Sequence, residues 1–284
     1  MKNSWIEVAD CWDEVNTAEW IELLDLRHQL MTIPAMTVDD VRRMMAKFML
    51  KENGIGMYVF MREDRYLLLV DELAGRLEWM IRVDEETGEV VIPLDTTRQL
   101  LRSVGGLVGP SSHGADMTFG EFHAAVTVMN DYTVHHDEYA LIALCSILYR
   151  EKDKSGRRVP LREEDMPYMM HRGERMAEWL RWGVYAWFAH FCEYLRRGTF
   201  RIMDAEVCFA PLFARLDDGG DEGTASDSDG LGLNGVLMSV AESGVFGNAE
   251  EVNQTPLLKV LMKLLKDYHA MMDMKELSKR NKLV

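Results

Sequence analysis

Along most of this chain apolar residues return every three or four positions, the spacing that lines one face of a helix. The densest run lies between Glu174 and Phe213, where Trp179, Leu180, Val184, Trp187, Phe188, Phe191 and Leu195 recur at helical spacing. It predicts a long helix with a wide buried face, starting near Gly173. Three shorter helices are predicted upstream. The first is capped by Asn16 or Thr17, with Glu19 close behind, and carries Trp20, Leu23, Leu24, Arg27 and Leu30. Pro34 ends it. The second starts at Thr37, with Asp39 and Asp40 where the helix dipole favours acids, and ends at Asn53-Gly54. Val41, Met44, Met45, Phe48 and Met49 form its face. The third runs from Arg62 to Trp79 with Tyr66, Leu69, Val70, Leu73 and Leu77.

Elsewhere the period changes. Ser4–Ala9 alternates apolar and polar residues, as a short strand does. Met80–Val83 and Glu89–Leu94 flank Glu85-Glu86-Thr87-Gly88, which predicts a β-hairpin with Gly88 at positive φ. Thr96–Val104 reads as a short helix, followed by a turn-rich loop. Thr118 and Glu121 form a capping box for a helix carrying Phe119, Phe122, Ala125, Val126 and Met129. A break near Tyr132-Thr133 precedes a helix over Asp137–Tyr149. Residues 151–160 form a charged loop, and Glu163–Met170 a short helix. Apolar character continues from Thr199 to Phe213. Asp217–Gly230 is acidic and rich in Gly and Ser, the composition of a mobile linker. Leu233–Ala241 is helical, and a last helix opens at Thr255 or Pro256 and runs to Met272, with Leu257, Leu258, Leu261, Leu264 and Leu265 on its apolar face. The final KELSKRNKLV reads as frayed. The expected fold is mainly α: a multi-helix globular bundle with a short N-terminal strand and one small β-hairpin near 80–94. A helical core over 1–216, the linker over 217–230 and a C-terminal helical pair with its tail over 231–284 are the expected domains.

Composition narrows the partners. Hydrophobic residues make up 48% of 284, enough for a substantial core. Acidic side chains number 47 against 32 basic, a net charge of −15. That field repels nucleic acid and anionic membranes, and suits a partner with a basic face. Arg181, His190 and Glu193 interrupt the densest apolar run and argue against a membrane span. The N-terminus has no apolar signal segment, and the four cysteines have no CxxC spacing. A cytoplasmic protein with reduced thiols is expected. Methionine is frequent, at 21 residues. Met fills irregular gaps in cores, and it also makes surfaces that repack around different partners.

Candidate chemistry is sparse. Glu121, His123, Asp131, His135, His136, Asp137 and Glu138 hold ligand-type side chains, but without HExxH or a comparable frame. A solvated turn between helices and a divalent metal site used by a hydrolase are the two readings. Asp227 and Asp229 precede Gly230 as in a calcium loop, yet Ala225 and Val236 stand where acidic ligands are needed. His190 and Cys192 point to different sides of a helix. Gly105-Gly106 and 244–247 lack the context of a phosphate cradle. No catalytic residue and no cofactor are assigned, so the chain reads as a non-enzyme.

Three blocks carry a resemblance: WIEVADCWDEVNTAEWIELL at 5–24, GPSSHGADMTFGEFHAAVTVMNDY at 109–132 leading to ILYR at 147–150, and GLNGVLMSVAESGVFGNAEEVNQTPLLKVLMKLL at 232–265. Together they cover about a third of the chain. They resemble a family of proteins from tailed phages and prophages of Bacteroides-type bacteria. Ala9-Asp10, where a Pro-containing step is usual, and the Asp-rich linker depart from that pattern. The family's genes lie beside those for tail tube and tape measure. The resemblance implies a tail-assembly-chaperone-like protein, acting in the host cytoplasm on the tape measure or tail tube. A virion subunit of neck, connector or tail is the alternative. The adaptable residues near the C-terminus, Met262, Leu265, Met271, Met272 and Met274, are the candidate partner-binding set.

Overall fold

The computed structural model describes residues 8–55, 63–202, 204–217 and 244–282. Among them the fold is mainly α, with short antiparallel strand pairs between helices. The expected linker from residue 218 and the expected helix at Leu233–Ala241 lie outside the described residues. So does most of the expected N-terminal strand, whose last residues, Val8 and Ala9, have no regular structure.

The chain divides into two compact units. The first comprises residues up to Leu101 together with Met176–Trp187, and the second Arg102–Arg175 together with residues from Phe188 onward. The core expected over 1–216 is thus parted between them, and the last helix is grouped with the second unit.

In the first unit, α1 (Thr17–Thr32) and α2 (Val38–Glu52) both begin in capping boxes. The Asn16 side chain accepts the N–H of Ala18 and Glu19, and the Glu19 carboxylate accepts the Asn16 N–H at 2.9 Å. Thr37 and Asp40 exchange the same bonds at α2. Such caps contribute about 1 kcal/mol each. α3 (Glu63–Gly75) packs on α2, and α2 on α1. Their apolar faces meet through Trp20, Leu23, Val41, Met45, Met49 and Val70, all buried. Each aliphatic side chain so buried stabilises by about 1.5–3 kcal/mol. Trp12 lies edge-on to Trp20 and Trp79, and its indole N–H donates to the Pro93 carbonyl at 2.7 Å. β1 (Arg82–Val83) pairs with β2 (Val90–Val91) as expected. Asp84 accepts the amides of Glu86 and Thr87 across the turn, and Gly88 closes it at φ 72°.

The expected helix over Thr96–Val104 does not form. The Thr96 hydroxyl accepts the Arg98 N–H and donates to Asp13, and the Gln99 side chain accepts the Leu101 N–H. These local bonds take backbone donors that a helix would use. Ser103–Val104 instead forms β3, paired with β4 (Leu107–Val108) in the second unit. Gly105 and Gly106 both sit at positive φ, as the tightest hairpin turn requires.

The second unit continues with α4 (Phe119–His135), α5 (Glu138–Leu148) and α6 (Met166–Glu174). α4 has no break at Tyr132-Thr133. It ends at His136, held left-handed at φ 53°, and Asp137 then caps α5. The long aromatic helix, α7, spans Glu178–Arg197 and starts five residues later than expected. Glycine is required at Gly183, where a Cβ would meet Leu24 at 2.3 Å. Val184, Trp187, Phe188, Phe191 and Leu195 are buried, as their spacing predicts, while Trp179 and Leu180 in the first turn are only half-buried. Beyond α7, the segment after Thr199 is a third hairpin, β5 (Thr199–Ile202) with β6 (Ala205–Cys208), followed by α8 (Ala210–Asp217). Among the described residues three hairpins therefore stand where one was expected. Phe200 in β5 packs between Tyr194 and Phe209. α9 (Ala249–Gln254) leads into α10 (Leu257–Lys282), 26 residues long. α10 packs on α4 and α8 and stays helical to Lys282, within the stretch expected to fray.

Candidate functional site

α10 carries all five residues of the candidate partner-binding set. Its near end is anchored: the Leu257 N–H donates to the Met117 carbonyl, and Leu257, Val260 and Leu261 are buried. Leu257, Leu261, Leu264, Tyr268 and Met271 step by four and three, so they form one stripe. The stripe loses its cover along the helix. Leu264, Tyr268 and Met271 are half-buried, while Met272 is 39% and Met274 65% exposed. Leu265 and Met272 lie on one line of the helix, seven residues apart, and Met271 and Met274 flank the other side. Met262 stands apart from them, on the face turned away from the stripe, and is 42% exposed. Leu277, outside the expected set, is 58% exposed and lies one turn beyond Met274, round the helix from the stripe. Its place in a charged stretch hid it in the sequence.

A groove of about 1280 Å³ opens along α4, beside the base of α10. Its apolar lining includes Val128, Leu161 and Met166. Its rim carries Glu163, Glu164 and Glu250, all exposed, against one rim cation, Arg162. Asn253 and Gln254 of α9 close the end nearest Leu257.

A buried ionic cluster lies behind the groove. Glu121 is 1% exposed, and one carboxylate oxygen accepts both the Thr118 N–H at 3.0 Å and the Arg158 guanidinium at 2.6 Å. Arg150 is also buried, and none of its guanidinium nitrogens has a protein acceptor. Burial pushes its pKa down to about 10, against the opposing field of Glu121. It therefore stays charged at neutral pH, between the fields of Glu121 and Asp165. Burial raises the Tyr149 phenol well above 10, so this group stays neutral. The cluster spans Glu121 to Arg158, 37 residues apart in sequence, and no local spacing announces it.

The imagined metal region between His123 and Glu138 is dispersed. Glu121 is committed to Arg158 and its cap. His123 lines the groove, and burial pushes its pKa down. Asp131 and His135 pair with each other on the surface at 2.9 Å, and Asp137 caps α5. Among the described residues, the ligand-type atoms that do converge belong to Asp10, Cys11 and Glu14, all exposed in the N-terminal turn. The Glu14 carboxylate there accepts the Asp10 N–H at 3.1 Å. Cys192 is half-buried, and desolvation drives its thiol pKa up to about 12, so it stays protonated at neutral pH. All four cysteines are free, with Cys11 and Cys208 exposed. Asp227 and Asp229 lie outside the described residues. Among the described residues no helix is long and apolar enough to cross a membrane. No protein-family model, curated protein or solved structure matches the chain.

Proposed function

We propose that this chain is a non-enzymatic binding protein of tailed-phage assembly, chaperone-like toward the tape-measure or tail-tube protein. The far half of α10 carries this reading. It presents Met272, Met274 and Leu277 to solvent on a helix whose near half is firmly packed. Helices bind another helix or an apolar groove through residues spaced by three and four, as Met271, Met274 and Leu277 are by three; Met272 lies on the other side of the stripe. Methionine suits a client that offers many similar apolar segments, since its thioether side chain repacks at little cost. A tape measure, a long helical chain with apolar residues not yet enclosed by the tube, is such a client. The three-block resemblance supports the same role and places it in the host cytoplasm during assembly.

Co-expression with tape-measure and tail-tube proteins, followed by pull-down, tests the reading. A complex with one of them is expected, and Met272→Asp with Met274→Asp weakens it by at least about tenfold. No complex with either protein overturns the proposal. Stoichiometric recovery of the chain in purified particles would assign it to the virion instead.

A further inference from the structure

The stripe on α10 is covered at its base and half-covered at Met271; beyond it the same line of the helix carries the exposed cations Lys275 and Lys279. The molecule carries a surface of complementary charge. We infer that two copies of this chain pair through α10, the tip of each helix lying in the acidic groove of the other. Three observations converge on a second copy as the occupant.

The first is charge. The chain as a whole is at −15, yet residues 257–282 hold seven basic and three acidic side chains, a net +4. At the tip, Lys275, Lys279 and Arg280 follow Met271, Met272 and Met274. The groove offers the reverse pattern: Glu163, Glu164 and Glu250 around an apolar lining.

The second is position. The groove ends at Gln254, and α10 begins at Leu257. Two α10 helices laid antiparallel about a twofold axis bring the tip of each to the base of the other, where that groove lies. A twofold contact of this kind closes on itself and gives a dimer rather than a filament.

The third is the helix itself. Residues 272–280 are all exposed, yet remain helical. They extend an already nucleated helix, so each added turn needs little, but their side chains bury little within one copy. Docking in a partner's groove supplies the missing burial. Within one copy no residue of α10 lines the groove, and α10 is a single uninterrupted helix from Leu257 to Lys282.

This goes beyond the tail-assembly reading and stands apart from it. Self-pairing and client binding are alternative uses of the same stripe, so a client would displace the second copy.

Sedimentation velocity of the full chain alone is the test. The expected species has twice the 32.7 kDa chain mass. Lys275→Glu, Lys279→Glu and Arg280→Glu together weaken the dimer at least about tenfold, as do Glu163→Lys, Glu164→Lys and Glu250→Lys together. All six side chains are exposed, so folding, followed by circular dichroism, is unaffected. Combining both sets restores the dimer. A monomeric wild type, a dimer indifferent to either set, or a six-fold variant that stays monomeric overturns the inference. A monomer that still captures a tail protein removes the pairing alone, and a dimer that captures none removes the tail reading alone.

Discussion

α7 and α10 share a pattern and differ in outcome. Both carry large apolar residues at helical spacing, and both exceed the usual helix length. In α7 the stripe is half-buried at Trp179 and Leu180 and buried from Val184 through Trp187, Phe188 and Phe191 to Leu195. In α10 the stripe is buried through Leu261 and half-covered through Met271, and its line beyond is exposed lysine. Amphipathic periodicity thus says which face of a helix wants cover. It does not say whether the same chain supplies it. Where it does, the helix is core; where it does not, the helix stays exposed.

The largest expected effects separate the two helices by stability. Phe188→Ala removes a fully buried ring and costs about 3–5 kcal/mol in chemical denaturation. Met274→Ala, at 65% exposed, shifts stability by no more than about 0.5 kcal/mol. Comparable losses at both sites would mean that α10 is covered along its whole length, and the contrast would fall. Next comes the wall of the groove. Arg158→Ala leaves Glu121 buried without its guanidinium partner, at a cost of about 3–5 kcal/mol. Arg162→Ala, on the exposed rim, is close to neutral by the same measurement.

The smallest effect is in acid. Hydrogen bonds from the Thr37 hydroxyl and amide hold the Asp40 carboxyl below its usual range, and the Thr87 and Glu86 amides do the same for Asp84. Burial pushes Asp116 up, but the Ser111 amide and the Arg158 charge outweigh it and leave it lowered. A depressed folded-state pKa adds stability that is present above the unfolded value, near pH 4, and lost as pH falls through the folded value. Thermal melts should therefore weaken below about pH 4, and Thr37→Ala should lose less on acidification than the wild type. An identical acid response in both chains would show that the α2 cap is not part of it.

What was legible in the sequence was local. The boxes at Asn16–Glu19, Thr37–Asp40 and Thr118–Glu121 could be read because both partners lie within one turn. The Gly88 turn followed from the same short range. The failures were local too, where two short-range preferences competed. Thr96–Val104 has a helix-like apolar spacing, but the Thr96 and Gln99 side chains bond the backbone first. Thr199–Cys208 alternates with a period of two, yet it follows a strong helix and has no Asn-Gly or Asp-Gly turn to announce a hairpin.

The sequence by itself determined the helical character of the chain, the faces of its helices and most of their starting points, because these depend on neighbours three or four residues apart. Tertiary structure alone decided the division into two units, the buried Glu121–Arg158 pair and the point along α10 where cover ends. Those depend on what distant segments bring to the same place, and periodicity in one segment cannot report what stands opposite it. The helix of α10 was readable from its spacing; only the fold showed that residues 272–280 are left uncovered, and that a groove with an acidic rim lies by the base of the helix.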